Sequence, residues 1–185
     1  IDRCLHQLGI TDIPLLILTH IHADHVGGLQ GAKKNRHIGT TWFGNIYAGT
    51  HARIDTINID VKWPKRNGFD GNPNNSSIAA TFTSPDFTLF AAGDIEPPVQ
   101  AQLLSQIGKV DIYKVAHHGS RYQDQDLMHE LSPAVAVISV GTGNSYGHPA
   151  PSTISALTRL HAKVLRTDVD GAVAIRAQRH RLSIQ

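Results

Sequence analysis

Four potential metal ligands lie within six residues of one another near the start of the chain. They belong to the segment Thr19-His20-Ile21-His22-Ala23-Asp24-His25, which follows an apolar run at 13–18 that is typical of a buried strand. Side chains two residues apart on an extended segment point the same way, so His20 and His22 can bind one ion as a chelating pair. A turn into a following helix would bring Asp24 and His25 toward a second ion. The spacing predicts a site for two metal ions at the end of this strand.

A carboxylate stands in a comparable position later in the chain. Asp94 follows Gly93 at the end of the apolar run 87–92. This position suits an Asp that bridges two cations, although an N-cap role for a helix beginning at Pro97 is the alternative. Both roles are compatible with the sequence.

Histidines end two further apolar runs. His117 and His118 follow the predicted strand 111–116, where either could be a metal ligand or a general acid. His148 lies in a Gly-His-Pro turn, whose restricted backbone would fix the direction of the imidazole. A structural turn ahead of a helix at Ser152 is the alternative for His148. These residues complete the candidate metal site.

The elements that must position these residues indicate a layered α/β fold. Predicted helices cover 1–9, 24–34, 97–108, 124–131 and 152–161, and predicted strands cover 13–18, 37–43, 56–63, 78–83, 87–92, 111–116, 134–140, 163–167 and 172–176. The strands at 78–83 and 87–92 are joined by the turn residues Ser84-Pro85-Asp86, which predicts a hairpin. From residue 97 onward helices and strands alternate, as in α/β folds whose chemistry lies at strand ends.

Composition is consistent with one globular domain covering residues 1–185. Hydrophobic residues make up 41% and charged residues 17%, which excludes the composition of disordered chains. The net charge of +2 is too small to establish a polyanionic partner, but basic clusters at 33–37, 62–66 and 176–181 could converge on one face. Cys4 is the single cysteine, so no intrachain disulfide can form and a metal must be held by His and carboxylates. No apolar stretch approaches the ~20 residues that span a bilayer, so we expect no membrane segment or signal peptide.

The motifs together resemble a known family. His20-x-His-x-Asp-His-x-Gly-Gly is similar to the signature of the metallo-β-lactamase superfamily. More narrowly, the ordered motifs resemble the hydrolase domain of the ComEC competence proteins over about residues 15–176. These motifs are Asn74-Asn-Ser-Ser77, Ala92-Gly-Asp-Ile-Glu96, Lys114-Val-Ala-His-His-Gly-Ser120, Ser145-Tyr-Gly-His-Pro149 and Arg166-Thr-Asp-x-Asp-Gly171.

The resemblance implies an αββα sandwich with two divalent metal ions. His20 and His22 would bind the first ion, Asp24 and His25 the second, Asp94 would bridge or approach both, and His148 would complete the second position. Asp24 and either His117 or His118 are the implied catalytic residues, with a histidine completing the site or donating a proton. The residues implied to contact substrate are Asn75, Ser77, Lys114, Ser120 and Arg121.

Two departures from the family pattern affect these expectations. The superfamily usually supplies a third histidine to the first metal, where this chain has Asn75, Ser76 and Ser77. An oxygen-rich site favours Mn²⁺ over Zn²⁺. The family's N-terminal strands are also missing, and the chain begins at Ile1 within a helical pattern, so we expect a fragment of a longer protein.

The resemblance implies a DNA nuclease that degrades the strand not taken into the cell. The substrate would be single-stranded DNA or a duplex end, and the partner would be the membrane channel domain of the same polypeptide. The domain would be a soluble part of a bacterial membrane protein, on the extracytoplasmic side. Two alternatives fit the same residues: hydrolysis of a small carbonyl substrate by the same metals, and a non-catalytic DNA-binding module.

Overall fold

The computed structural model describes residues 1–68 and 71–184, which form a mixed α/β fold. The strands are β1 (Asp12–Ile17), β2 (His37–Trp42), β3 (His51–Ile54), β4 (Ile57–Trp63), β5 (Ala79–Thr83), β6 (Thr88–Ala91), β7 (Ile112–Lys114), β8 (Val135–Ile138), β9 (Lys163–Arg166), β10 (Ile175–Gln178) and β11 (Arg181–Ile184). The helices are α1 (Asp2–Gln7), α2 (Ala23–Val26), α3 (Leu29–Lys33), α4 (Pro97–Gln100), α5 (Gln125–Leu131) and α6 (Pro151–Arg159).

Strands β3 to β9 form one mixed sheet in sequence order. The first half, β3 to β6, is antiparallel and includes the predicted hairpin of β5 and β6. Its turn is stabilised by Ser84, whose Oγ accepts hydrogen bonds from the backbone N–H groups of Asp86 and Phe87. The second half, β6 to β9, is parallel, so four strands end at the same edge of the sheet.

Two apolar cores lie on opposite faces of this sheet. On one face, Phe90 and Tyr113 pack with Leu103, Leu127 and other residues from the helical segments. On the other face, residues of β4 and β5 pack with residues of β1 and β2. The buried members of this second core are Trp42, Ile59, Val61, Ile78 and Ala80. Complete burial of each large apolar side chain contributes about 1.5–3 kcal/mol. The small sheet, the large sheet and the helices thus form the predicted layered arrangement.

The small parallel sheet of β1 and β2 carries the first ligand string. The N–H of Leu18 donates to the Trp42 carbonyl oxygen at 2.9 Å and extends this pairing by one step. The N–H of Ile78 donates to the Thr19 carbonyl oxygen, also at 2.9 Å. These bonds hold the loop that follows β1 against the segment that leads into β5.

The structure corrects three predicted elements. The helix expected at 24–34 is broken into α2 and α3, and at the break a Cβ on Gly27 would lie 2.6 Å from the Ala23 carbonyl oxygen. The helix expected at 97–108 ends at Gln100 and is followed by a 3-10 turn at Ala101–Leu103. Beyond that turn the Glu130 carboxylate accepts the N–H groups of Ser105 and Gly108, which therefore do not continue a helix. The strand expected at 172–176 lies at 175–178 instead.

The terminal hairpin of β10 and β11 explains that shift. Its apolar residues alternate with polar residues through both strands, so that Ala177 faces Leu182 and Ile175 faces Ile184. The turn residues Arg179 and His180 both have positive φ, as a tight two-residue hairpin turn requires.

Within the described ranges, none of the helices has the length and apolar character needed to cross a bilayer.

Candidate metal centre

The predicted ligands come together where several strands end. His20, His22, Asp24 and His25 follow β1, Asp94 follows β6, and His117 and His118 follow β7. Because β6 and β7 are parallel neighbours, the segments that follow them start at the same edge of the large sheet. The hydrogen bond between Ile78 and Thr19 brings the β1 loop to that edge.

Asp24, His25, Asp94 and His118 form a compact cluster. Each offers one ligand atom, and these four atoms all lie within 4.8 Å of one another. Oδ2 of Asp94 is 3.1 Å from Nε2 of His25 and 3.4 Å from Nε2 of His118. Oδ2 of Asp24 is 3.2 Å from the same His118 nitrogen. Two imidazole nitrogens and two carboxylate oxygens form a donor set suited to ions such as Zn²⁺ and Mn²⁺.

Two features of the hydrogen bonding fit a cation in this cluster. Nδ1 of His118 is 2.7 Å from the Ser139 carbonyl oxygen, which can only accept, so Nδ1 carries the proton. When the imidazole is neutral, its Nε2 lone pair therefore faces the cluster, as binding of a cation requires. Oδ1 of Asp94 is buried and has no hydrogen-bond partner within residues 1–68 and 71–184. A buried carboxylate oxygen without a partner is costly unless a cation balances it.

His20 and His22 form a second group of ligands beside this cluster. His20 is 2% exposed, and its Nε2 lies 3.0 Å from Nδ1 of His22 and 3.9 Å from Oδ2 of Asp94. Burial, together with the charge of His25, lowers the pKa of His20 to about 4. The imidazole is therefore neutral near pH 7, which is the form that binds a metal. Asp94 is within 4 Å of ligands in both groups.

Opposing electrostatic effects act on Asp94 and His118. Burial by itself raises the pKa of Asp94, but hydrogen bonds from His118 and His25 and their charges outweigh burial and hold that pKa well below its usual range. The hydrogen bond with Asp94 in turn raises the pKa of His118. Asp94 is thus an ionised carboxylate in a largely buried position, where it attracts positive charge.

Two hydroxyl groups orient the ligands. The fully buried Oγ of Ser77 accepts a hydrogen bond from the Asp94 backbone N–H at 3.0 Å and lies 3.1 Å from Nδ1 of His20. Oγ1 of Thr19 lies 2.7 Å from Nδ1 of His25. In each case the hydroxyl contacts the imidazole nitrogen remote from the other ligands, which leaves Nε2 directed toward them.

The backbone separates the roles available to His117 and His118. Both residues have left-handed conformations, with φ values of 47° and 51°, which cost roughly 1–2 kcal/mol per residue. The His117 N–H donates to the Gly93 carbonyl oxygen at 3.0 Å, which fixes this loop to the residue preceding Asp94. His118 joins the four-residue cluster, whereas Nδ1 of His117 lies 3.4 Å from Oε1 of Glu96.

A polar cavity of about 480 Å³ opens over the ligands. It is lined by His22, Ala23, Asp24, Asn74, Asp94, His117, His118, Tyr146 and His148. The His148 ring is 5.5 Å from the His117 ring and 6.1 Å from the Tyr146 ring, measured between centroids. The structure thus brings His148 to the wall of the cavity but not into the four-residue cluster.

The five residues implied to contact substrate lie outside the lining of this cavity. Ser77 and Asn75 are buried, with Asn75 accepting the Glu96 backbone N–H through Oδ1. Ser120 is also fully buried, and its carbonyl oxygen accepts a hydrogen bond from Thr153. Arg121 is exposed and lies over the Tyr122 ring, and Lys114 is half-buried with a pKa lowered by burial.

Other contacts account for part of the basic cluster at 33–37. Arg36 donates hydrogen bonds to the Asp2 carboxylate and to the Ile10 carbonyl oxygen, and Lys34 forms an ion pair with the same Asp2. These contacts tie α1 to the chain that follows α3. The Arg36 side chain is only 4% exposed, so this residue has a structural role that the sequence did not indicate.

Glu96, Asn74 and Tyr146 are site residues that the sequence analysis did not select. The Glu96 carboxylate accepts hydrogen bonds from the side-chain amides of Asn72 and Asn74 and contacts His117. It therefore ties the 72–75 loop to the histidine loop. All three residues lie within the family motifs, so the motifs contained the signal, but only distances in the structure identify their positions.

Comparison with known proteins agrees with the fold and the motifs. The model of the Metallo-beta-lactamase superfamily matches residues 2–56. Similar curated proteins include ComE operon protein 3 of Bacillus subtilis, 27% identical over 91% of this chain and 25% of the relative. Competence protein ComA of Neisseria gonorrhoeae is 26% identical over 96% of this chain and 28% of its own length. Recombination protein 2 of Haemophilus influenzae is 26% identical over 98% of this chain and 24% of its own length.

The chain therefore spans about a quarter of the length of these relatives. Among solved structures, one described as a metal-dependent hydrolase from Parabacteroides distasonis has a TM-score of 0.55 and 17% identity, covering 86% of this chain and 78% of its own. The β-hydroxylase CmlA has a TM-score of 0.56 and 12% identity, covering 85% of this chain and 43% of its own. These likenesses concern the fold alone. The predicted fold is thereby confirmed: this chain has the metallo-β-lactamase fold, and it is similar to competence proteins of the ComEC family.

Proposed function

We propose that this chain is a metal-dependent phosphodiesterase that cleaves DNA as one domain of a ComEC-like competence protein. The observation that carries the proposal is the cluster of Asp24, His25, Asp94 and His118 at the base of an open polar cavity. The similarity to competence proteins supports DNA as the substrate class. In this proposal the domain degrades the strand that does not enter the cell, on the extracytoplasmic side of the membrane.

The residues present fit a centre for two divalent ions. The compact cluster would hold one ion, and His20 and His22 would hold the other, with the Asp94 carboxylate shared between them. Bound ions would supply Lewis-acid activation of water and of the phosphoryl group. The family's third histidine is absent from the 75–77 segment, so the His20 side would offer fewer imidazole ligands, which favours Mn²⁺ over Zn²⁺.

His117 is the candidate for proton transfer to the leaving oxygen. It lines the cavity without belonging to the four-residue cluster, and the Glu96 carboxylate lies beside its Nδ1. Burial lowers the pKa of His117, an effect that the charges of Asp94 and Glu96 partly oppose. A carboxylate in this position also orients the imidazole. His148, across the cavity wall from His117, would contact the phosphate or the sugar.

The cavity itself is suited to a polymer. Its lining contains several histidines and Asn74, which can donate hydrogen bonds to phosphate oxygens. It opens to solvent rather than enclosing a small ligand, so a chain can pass across it.

A nuclease assay over a panel of divalent ions tests the proposal. Linear single-stranded and duplex DNA should be degraded with Mn²⁺, more slowly with Zn²⁺, and not in chelator or by the Asp94→Asn variant. Activity should fall with salt, with a log–log slope of roughly −0.7 to −0.9 per phosphate contact. Efficient turnover of a β-lactam or lactone at any salt concentration, with DNA left intact in Mn²⁺, would refute the proposal.

A further inference from the structure

A second cavity, of about 300 Å³, lies beside the metal centre. We call it the aromatic groove and define it by His20, Phe43, Tyr47, Lys65, Arg66 and Ser76, which all line it. Phe43 is 46% exposed although it directly follows the buried end of β2. A large aromatic side chain that remains accessible in a concave site is available to stack against a ligand.

Two cationic side chains and two aromatic rings line the aromatic groove. Cζ of Arg66 lies 5.0 Å from the centre of the Tyr47 ring, and Nζ of Lys65 lies 5.6 Å from the centre of the Trp63 ring. Nζ of Lys65 also donates a hydrogen bond to the side-chain oxygen of Gln102, and this neutral amide leaves the positive charge of Lys65 in place. The described lining residues of the groove include no carboxylate. The groove therefore combines a stacking surface with positive charge that no lining carboxylate neutralises.

Two short segments of the chain line both the aromatic groove and the polar cavity over the metal centre. His20 lines the groove, whereas His22, two residues later, lines the polar cavity. On the other side, Ser76 lines the groove and Asn74 lines the polar cavity. The two cavities are thus neighbours across a wall made of the same two short segments. A polymer bound at the metal centre would have the groove as its neighbouring cavity.

We propose that the aromatic groove is a nucleobase subsite for single-stranded nucleic acid. A base stacks on Phe43 and Tyr47, and an adjacent phosphate contacts Lys65 and Arg66. Stacking accepts any base, because each has a π face, and it combines with backbone cations in proteins that bind single strands without sequence preference. The inference rests on the proposed function, because it names the strand form and subsite that the metal centre would use.

Binding measurements in chelator test the groove without any contribution from catalysis. The probe is a fluorescent oligothymidylate, and its Kd is measured by anisotropy. Phe43→Leu keeps an apolar side chain but removes stacking, and we expect it to raise Kd about tenfold. Phe43→Tyr keeps the ring and should restore binding. Circular dichroism and thermal unfolding establish that each variant is folded.

The cationic part has its own matched pair of variants. Arg66→Gln should raise Kd and reduce the magnitude of the log–log salt slope by roughly 0.7. Arg159→Gln removes an equally charged, exposed arginine that lines neither cavity, and it should leave Kd unchanged. Equal effects of both substitutions would indicate a general charge effect and overturn the subsite.

Activity measurements separate failure of the groove from failure of the proposed function. The ratio of KM for oligothymidylate to KM for methyl 4-nitrophenyl phosphate should rise in Phe43→Leu, because the small diester has no nucleobase. If Phe43→Leu and Phe43→Tyr both cleave DNA and both bind it with the Kd of the wild type, the groove is refuted and the nuclease proposal stands. Groove-dependent binding without cleavage in any metal would retain the groove and refute the nuclease.

Discussion

Replacing Ser77 by Ala distinguishes a residue that positions ligands from one that contacts substrate. The Ser77 side chain is completely buried, and its Oγ accepts the Asp94 backbone N–H while lying 3.1 Å from Nδ1 of His20. A hydroxyl oxygen has two lone pairs, so it can accept from both groups. The substitution removes this acceptor and leaves the remaining structure in place.

The structure sets the size of the expected effects. Leaving the buried Asp94 N–H without a partner should lower the free energy of unfolding by about 2 kcal/mol. For a chain of this length that corresponds to a decrease of roughly 4–8 °C in Tm. Because His20 and Asp94 both lose an orienting contact, metal affinity should fall roughly 10- to 100-fold. The KM for DNA, measured at saturating metal, should change little.

Three measurements on Ser77→Ala check this reasoning: urea unfolding of the metal-free chain, calorimetric titration with Mn²⁺, and steady-state kinetics at saturating Mn²⁺. Ser84→Ala is the matched control, because Ser84 also accepts backbone N–H groups but stabilises the turn between β5 and β6. The control should lose stability and keep its metal affinity. A Ser77→Ala variant with unchanged metal affinity and a raised KM for DNA would refute the positioning role.

Three further predictions concern packing, charge and metal binding. Gly93→Ala should lower the free energy of unfolding by about 3 kcal/mol, because φ is 58° and the new Cβ would lie 2.6 Å from Cβ of Ser77. Gly143→Ala is the control, because φ is 70° there too but no heavy atom lies within 4 Å of the new Cβ, and it should lower the free energy of urea unfolding by only about 1 kcal/mol. Equal losses in the Gly93 and Gly143 variants would contradict the steric argument. Arg36→Gln should lower the free energy of unfolding by about 2 kcal/mol, because the hydrogen bonds to Asp2 and Ile10 are lost, and it should leave the Kd for DNA unchanged in anisotropy. A raised Kd with unchanged stability would instead assign Arg36 to phosphate binding. Mn²⁺ at about 100 times its Kd should stabilise the chain by about 2.7 kcal/mol in thermal unfolding, and Asp94→Asn should abolish this stabilisation. A stabilisation of the same size in the variant would show that Asp94 is not a ligand.

Local patterns predicted most of the elements, and failed where distant residues decide how the backbone continues. The hairpin of β5 and β6 was predictable because its turn residues and its alternating strands agree. The absence of helix at 105–108 was not, since Glu130, on a later helix, accepts the N–H groups of Ser105 and Gly108. Such a contact joins residues more than 20 positions apart and leaves no local periodicity.

The sequence by itself determined the chemistry that is available. The string from His20 to His25, the Gly-Asp step at Asp94 and the histidines after β7 stand at strand ends, and this placement is visible in the pattern of apolar runs. Their residue types limit the ligands to imidazole and carboxylate. The family resemblance and the fold class follow from the same motifs.

Only the tertiary structure decided which of these residues meet. Left-handed backbone at two successive positions directs His118 into the cluster and His117 toward Glu96. Parallel pairing of β6 and β7 and the bond between Ile78 and Thr19 set the distances among the ligands. The aromatic groove, assembled from segments near residues 20, 45, 65 and 75, has no signature in any one of them. Spacing along a chain determines which side chains share a face of one helix or strand, whereas a binding site depends on how separate helices and strands pack.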